Sequence, residues 1–209
     1  MSPTTPYNQP RPHPWHGLPV GDDAPDVVNV YIEMNPTDGV KYEIDKETGY
    51  LIVDRPRKFS SQLPTAYGFI PQTYCGDRVG GLSDSVEEGD QDPLDICVIS
   101  ECALERNEVL LTARIVGGLH MVDGGEADDK IIAVLEGDYV WGEARDIDDI
   151  PKAMITRLHH YFLTYKEVPG ESQKEVAIDD IYGAAHAKRV LQASIDDYND
   201  LMTLRRENR

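Results

Sequence analysis

Cysteine is scarce in this sequence, and long apolar runs are missing. The three cysteines, Cys75, Cys97 and Cys102, are odd in number and form no CxxC pair, so neither a disulfide framework nor a thiolate metal site is indicated. Unpaired thiols are typical of a cytoplasmic protein. No stretch approaches the roughly 18 apolar residues that span a bilayer, and the first residues lack the basic start and apolar run of a signal peptide. We therefore expect a cytoplasmic protein without a membrane partner.

Basic residues are also few, since 20 Lys and Arg stand against 38 Asp and Glu, for a net charge of −18. We expect no nucleic-acid partner, because binding to its phosphates needs a basic stripe. The acids form two clusters, and brought together these would repel strongly unless cations lay between them. The first cluster comprises Asp84, Glu87, Glu88, Asp90, Asp92 and Asp95, and the second Asp123, Glu126, Asp128 and Asp129.

The hydrophobic pattern changes along the chain from strands to helices. A proline-rich stretch at 1–25 predicts an extended arm, and the glycine-rich stretch at 76–89 predicts an inserted loop. Two segments with helical spacing follow the strands, at about 150–165 and 184–204. Short strands separated by turns indicate a small barrel or sandwich, so we expect one α+β domain over 1–209. The predicted strands are 27–34, 40–45 and 50–54 as a hairpin, 94–100, 109–118 and 130–136.

The segment DQDPLD places Asp90, Asp92 and Asp95 close together in the sequence. Pro93 stiffens it, and a predicted strand begins at Leu94, which fixes Asp95 at the entrance of the strand. Magnesium usually takes one or two carboxylates together with waters and substrate phosphate oxygens. The segment suits such a site, although a solvated acidic turn explains it better when it is taken alone. A calcium EF-hand is excluded, because Asp95 stands where that loop needs glycine.

The segment DGGEADDK at 123–130 lies between two predicted strands, where a loop presents side chains at a barrel mouth. Its acids and lysine suit combined binding of metal and phosphate, but an acidic hairpin loop with Lys130 as counter-charge explains them equally well. Among the other basic residues, Arg55 can grip phosphate with two hydrogen bonds and Lys41 offers a point charge. Each of these, like Lys166, is equally consistent with a surface ion pair worth about 0–1 kcal/mol.

The motifs occur in a defined order: VKYEIDKETGYLIVDR, YGFIPQTY, DQDPLD, DGGEADDKIIAV and HYFLTYK. Together, from about Glu33 to Lys166, they resemble a divergent branch of the family I soluble inorganic pyrophosphatases. The resemblance implies an α+β fold with an OB-fold-like, five-stranded antiparallel β-barrel and flanking helices. It also implies hydrolysis of pyrophosphate to two phosphates with several Mg²⁺ ions, by a homo-oligomer between dimer and hexamer.

The resemblance further implies roles for the acidic residues. Asp90, Asp95 and Asp128 would hold the principal magnesium ion, and Asp123 would help to bind ions that arrive with the substrate. Asp92 would orient or deprotonate the attacking water. These assignments make four of the clustered acids metal ligands and one a catalytic base.

Other residues would contact the substrate or the metal-bound waters. Glu33 and Glu43 would be accessory groups that bind such waters or a peripheral ion. The strand alternation places Glu43 on one face with Lys41, as two residues that line one pocket require. The phosphates would be contacted by Lys41, Arg55, Tyr67, Lys130, Tyr165 and Lys166.

Three positions depart from the family pattern. Leu63, Ala66 and Gly124 replace common polar residues, and we expect them at the rim of the site, where they would alter metal affinity.

Two other function classes remain open. An OB-fold binding module is one alternative, although it would use a basic groove with stacking aromatics. A nucleotide phosphohydrolase is the other, since an apolar slot for a purine has no clear sequence signature.

Overall fold

The computed structural model describes residues 11–56, 60–83, 85–86, 88–167 and 176–207. The chain forms strands β1 (Val27–Met34), β2 (Val40–Ile44), β3 (Leu51–Pro56) and β4 (Ala66–Phe69), then the short helix α1 (Asp77–Gly80). There follow β5 (Asp95–Ile99), β6 (Val109–Asp123), β7 (Glu126–Ala127) and β8 (Lys130–Leu135). A 3₁₀ helix (Ile147–Asp149) precedes α2 (Lys152–Thr164), β9 (Val176–Gly183) and α3 (Ala184–Glu207).

Five of the strands form a closed ring. The order is β1-β4-β5-β8-β6, and β6 pairs with β1 to complete it. The long strand β6 also pairs with β7 and β9 beyond the ring, while β2 and β3 form a separate two-stranded sheet. The expected α+β class and five-stranded ring are therefore confirmed, with the hairpin at 40–56 standing outside the ring.

One detail of the expected barrel is wrong, because not all of its pairs are antiparallel. Strands β5 and β8 run parallel, with Asp95 beside Lys130 and Ile99 beside Val134. The reason is geometric: strand direction cannot alternate all the way around a closed ring of an odd number of strands. In the sequence β6 lies between β5 and β8, but in the ring β8 lies between β5 and β6. Strand β8 is antiparallel to β6 on one side and parallel to β5 on the other.

The two long helices cover opposite faces of the sheet. Successive side chains of a strand point to opposite faces, so each strand contributes to both cores. On one face Ile96 and Val98 belong to a core that includes Leu191 of α3. On the other face Cys97 belongs to a core that includes Leu158 of α2. Both helices were predicted from their apolar spacing, whereas β4, β7, β9 and α1 were not.

A third apolar cluster lies beneath the N-terminal arm. Trp15 is 2% exposed and packs with Tyr31, Phe69 and Tyr198. Its indole Nε1–H donates a hydrogen bond to the carbonyl oxygen of Thr73 at 2.7 Å. The described part of the predicted arm therefore lies on the body of the protein, while residues 1–10 fall outside the described residues.

Candidate active site

Every residue predicted as a metal ligand, catalytic base or substrate contact lines one cavity of about 450 Å³. These residues come from the hairpin β2–β3, the ring strands, the loops that precede β5 and β8, and the end of α2. The cavity therefore unites the two acid clusters with the predicted cations. Its lining includes Lys41, Arg55, Tyr67, Asp90, Asp92, Asp95, Asp123, Asp128, Lys130, Tyr165 and Lys166.

The parallel pairing of β5 and β8 creates the centre of this site. Asp95 and Lys130 begin their strands side by side, because parallel strands in register start at the same edge of a sheet. Asp90 and Asp92 directly precede β5, and Asp128 directly precedes β8. One edge of the ring thus collects acids that are distant in the sequence.

Lysine side chains pair with these carboxylates. Lys130 Nζ donates to Asp95 Oδ2 and to Asp128 Oδ1, and its side chain is only 3% exposed. Tyr67 Oη also donates to Asp95 Oδ2. Elsewhere in the cavity lining, Lys166 Nζ donates to Asp123 Oδ2. Each cluster of acids is thereby partly neutralised by a neighbouring ammonium group.

The charge of this site is reflected in pKa shifts. The pKa of Asp90 is raised to about 9, mainly by burial and in part by the nearby Asp128 carboxylate. For Lys130 burial lowers the pKa, but Asp128 and Asp95 outweigh it and leave the pKa well above its usual value. Burial is also the main cause of the raised pKa of Tyr67. Burial and the neighbouring carboxylates thus disfavour the charged form of Asp90, and a bound cation would offset both effects.

The hairpin β2–β3 supplies cations to the open side of the cavity. Lys41 and Arg55 are direct partners in the ladder, so both side chains leave the same region of the hairpin. Asp54 links them, since its Oδ2 lies 3.2 Å from Lys41 Nζ and accepts a hydrogen bond from Arg55 Nη1 at 2.6 Å.

The predicted accessory acids lie beside the cavity and are not part of its wall. Glu33 is 5% exposed and accepts a hydrogen bond from the Ile44 amide at 2.7 Å. Burial, followed by the Asp95 carboxylate, raises the pKa of Glu33 to about 8. Glu43 accepts a hydrogen bond from Lys41 Nζ at 2.6 Å, which orients that lysine. Their roles toward bound water remain predictions.

Of the three departures from the family pattern, only one lines the cavity. Leu63 is 1% exposed and forms part of the wall, so its placement at the rim is wrong. Ala66 belongs to the core on the opposite face of the sheet, because side chains alternate along β4 and Tyr67 takes the cavity side, so the rim placement of Ala66 is also wrong. Gly124 lies in the turn between β6 and β7, next to Asp123.

The cavity wall also contains residues to which no role was assigned from the sequence. Glu126 lines it together with Asp123, and its place in the second acid cluster was the available signal. Tyr161 and Phe162 are both core residues and wall residues. Phe162 lies 5.9 Å from Lys130 Nζ, measured to the ring centroid, which is within the range of a cation–π contact.

The donor set fits a hard divalent cation, since Asp90, Asp95, Asp123 and Asp128 offer carboxylate oxygens to one cavity. Among the described residues, however, no three His, Cys, Asp or Glu side chains are grouped closely enough to hold a metal ion as they stand. The ammonium of Lys130 lies between Asp95 and Asp128 and contacts one oxygen of each, Asp95 Oδ2 and Asp128 Oδ1. The other oxygen of each carboxylate would be the one offered to a metal ion.

Carboxylates, lysines and an arginine that face one another across a cavity at a barrel edge define a site for metal-assisted chemistry on a phosphate anion. Known proteins agree with this class. The family model described as inorganic pyrophosphatase matches residues 30–199. An inorganic pyrophosphatase of Chlamydia muridarum is 46% identical over 199 residues, covering 90% of this chain and 95% of that protein.

Solved structures give the same result. The inorganic pyrophosphatase of Thermus thermophilus superposes with a TM-score of 0.76 at 33% identity, covering 90% of this chain and 99% of that one. A type I inorganic pyrophosphatase from Toxoplasma gondii gives a TM-score of 0.79 at 26% identity, covering 91% of this chain and 89% of that one. The chain belongs to the inorganic pyrophosphatase family.

Family membership confirms the resemblance drawn from the motifs and identifies the chain as a hydrolase of the phosphoric anhydride bond. Family I pyrophosphatases need divalent metal ions, which agrees with the carboxylates of the cavity. No helix in the described part of the chain is long and apolar enough to cross a membrane.

Proposed function

We propose that this protein hydrolyses inorganic pyrophosphate to two phosphates, with Mg²⁺ as its metal and Asp92 as the base toward the attacking water. One observation carries the proposal. Cationic side chains from separate elements, on β2, β3, β8 and the end of α2, face the same group of carboxylates. A small anion of high charge, accompanied by divalent cations, suits both halves of such a cavity.

Asp90, Asp95 and Asp128 would hold the principal metal ion, and Asp123 would assist with ions that enter with the substrate. When bound, magnesium neutralises the charge of the phosphates and lowers the pKa of a coordinated water. Lys130 has a second task, because its ammonium keeps Asp95 and Asp128 together when they would otherwise repel each other. Glu33 and Glu43 would support the neighbouring backbone and Lys41.

The chemical step needs a base, an in-line geometry and stabilisation of the leaving group. Asp92 accepts a proton from the attacking water, whose oxygen forms a bond to one phosphorus. The bond from that phosphorus to the bridging oxygen breaks, and the second phosphate leaves with the electron pair. Arg55 and Lys41 hold its oxygens from the hairpin, while Tyr67, Lys130, Tyr165 and Lys166 contact the phosphates from the barrel side.

Phosphate release from pyrophosphate and from ATP, measured side by side, tests this proposal. With Mg²⁺ we expect rapid hydrolysis of pyrophosphate and slow hydrolysis of ATP. An excess of chelator should abolish activity, and added Mg²⁺ should restore it. Full turnover in excess chelator would rule out the metal-dependent mechanism, and faster hydrolysis of ATP would favour the nucleotide phosphohydrolase.

Replacing Arg55 with alanine should lower kcat/KM for pyrophosphate by about one to two orders of magnitude, because a charge-assisted, two-pronged phosphate contact contributes about 1.5–3 kcal/mol. Arg55→Lys should recover only part of the loss, since lysine keeps the charge without the fork. Arg145→Ala is the matched control, because Arg145 is exposed and donates to the carbonyl oxygens of Gly142 and Ala144. A folded Arg55→Ala variant with wild-type kinetics would mean that the phosphates bind elsewhere.

We further propose that the chain acts as one catalytic domain in the cytoplasm and assembles into a homo-oligomer. The match to the family over residues 30–199 supports the single domain. Free thiols at Cys75, Cys97 and Cys102 suit a reducing compartment. Tyr139 and Val140 are exposed apolar residues that an interface between copies would cover. Light scattering after size-exclusion chromatography measures the assembly, and a monomeric mass would contradict it.

A further inference from the structure

The turn that joins β2 to β3 contacts the proposed base. Lys46, near the tip of this hairpin, forms an ion pair between its Nζ and Oδ1 of Asp92. Lys46 does not line the cavity, and nothing in the sequence motifs assigned it a role. In the described part of the chain it is the cation that contacts Asp92.

Local hydrogen bonds and the N-terminal arm fix the position of this turn. The amide of Gly49 donates to the carbonyl oxygen of Asp45 at 2.8 Å, and the amide of Thr48 donates to the Asp45 carboxylate at 2.7 Å. Gly49 has a φ of +73°, and a Cβ at this position would lie 2.8 Å from Cδ of Pro14 and 3.0 Å from Cδ2 of His13. Glycine therefore permits both the left-handed backbone and the close approach of the arm.

The backbone of Asp92 is held from the opposite side. The amide of Cys75 donates to the carbonyl oxygen of Asp92 at 2.8 Å, and the amide of Asp92 donates to Asp90 Oδ1 at 3.1 Å. The segment that contains Cys75 is itself tied to the arm through the 2.7 Å hydrogen bond from Trp15 to Thr73. The arm thus supports both the turn that carries Lys46 and the segment that supports Asp92.

Within the described ranges of the chain, in contrast, the side chain of Asp92 makes its one hydrogen bond to Lys46. Its side chain is 37% exposed, and a carboxylate with this freedom populates several rotamers unless a partner selects one. Lys46 contacts Oδ1, so Oδ2 is the oxygen that this ion pair leaves available to accept a proton. Proton transfer requires the base to lie within about 2.6–3.2 Å of the proton donor, so the choice of rotamer decides how often Asp92 is competent.

We propose that Lys46 is a positioning residue for Asp92, and that its ammonium holds the carboxylate in the orientation that takes the proton from the attacking water. This inference rests on the proposed function, because it requires Asp92 to act as the base. Since Lys46 acts through Asp92 and does not bind the phosphates, its removal lowers kcat and leaves KM near the wild-type value.

A double-mutant cycle tests the proposal with pyrophosphate at saturating Mg²⁺. Lys46→Met should lower kcat by roughly three- to tenfold, which lies in the lower part of the coupling expected between contacting side chains. In the Asp92→Asn background the same substitution should have no further effect. Lys46→Arg should restore most of the rate, because the charge is kept. Lys188→Met is the matched control, since Lys188 forms an exposed ion pair with Asp26 away from the cavity.

Each contrary outcome has a distinct meaning. An equal loss of kcat in both backgrounds, or a raised KM with unchanged kcat, would overturn the positioning role and make Lys46 a substrate-attracting charge. Wild-type kcat in Lys46→Met would also overturn it. If Asp92→Asn itself retained the full rate, the assignment of the base in the proposed function would fail, and the positioning role would fail with it. An ion pair this exposed adds little to stability, so circular dichroism should show every variant folded.

Discussion

Asp92→Asn should lower kcat for pyrophosphate by about two to four orders of magnitude, the usual contribution of a positioned general base. An amide of the same shape cannot accept the proton of the attacking water. The principal metal should still bind, because Asp90, Asp95 and Asp128 are unchanged. The Mg²⁺ concentration that gives half-maximal activity should therefore stay close to the wild-type value.

The measurement is kcat as a function of Mg²⁺ concentration, with circular dichroism as a check of folding. Asp148→Asn provides the control, because Asp148 is exposed in the 3₁₀ helix and lies outside the cavity wall. If Asp92→Asn lost metal affinity without losing rate at saturating Mg²⁺, Asp92 would be a ligand and the base would have to be another group.

Asp95→Asn should lose rate and metal affinity together. Asp95 accepts hydrogen bonds from Tyr67 Oη and Lys130 Nζ at the edge of the ring, and a neutral amide is a poor ligand for magnesium. We expect kcat/KM to fall by about 100-fold or more, as when one preorganised charge is removed from a site. The Mg²⁺ concentration for half-maximal activity should rise by about tenfold or more.

The Asp95→Asn and Asp92→Asn variants should differ in their affinity for Mg²⁺. The same Mg²⁺ titration, run on both variants, should separate them, with a shifted midpoint for Asp95→Asn and an unshifted one for Asp92→Asn. Thermal unfolding of the Asp95 variant shows whether the buried Lys130 still has adequate pairing from Asp128. Equal shifts of the midpoint in both variants would refute the division between ligand and base.

The sequence predicts much of this site because its signals are local. The alternation of VKYEID and the turn KETG define the β2–β3 hairpin, and the two acid clusters are visible as runs of carboxylates. The apolar spacing of α2 places Tyr165 and Lys166 at its end. The ordered motifs then imply that these pieces meet, and they do line one cavity.

The parts that were missed depend on pairing between distant segments. Strand β4 has four residues, all buried, so it lacks the alternation that identifies a strand with one exposed face. The parallel pairing of β5 with β8 has no local signature, although it sets Asp95 beside Lys130. The ion pair of Lys46 with Asp92 joins residues far apart in sequence, and only the folded hairpin reveals it.

Strand β6 was predicted to end at Gly118, but it continues to Asp123. A Cβ at Gly118 would lie 2.4 Å from Cε2 of Tyr182, so glycine there accommodates a neighbouring ring and does not mark a turn. This extension matters for the site, because the additional residues of β6 carry Asp123 to the cavity. The close approach is a tertiary contact that a pattern of single residues cannot reveal.

The most direct test of the central claim is to locate the metal. A crystal grown with Mn²⁺, which shares the preference of magnesium for oxygen ligands, gives anomalous peaks at the bound ions. We expect the strongest peak between the carboxylates of Asp90, Asp95 and Asp128. Peaks confined to other surfaces would contradict a metal-dependent site in this cavity.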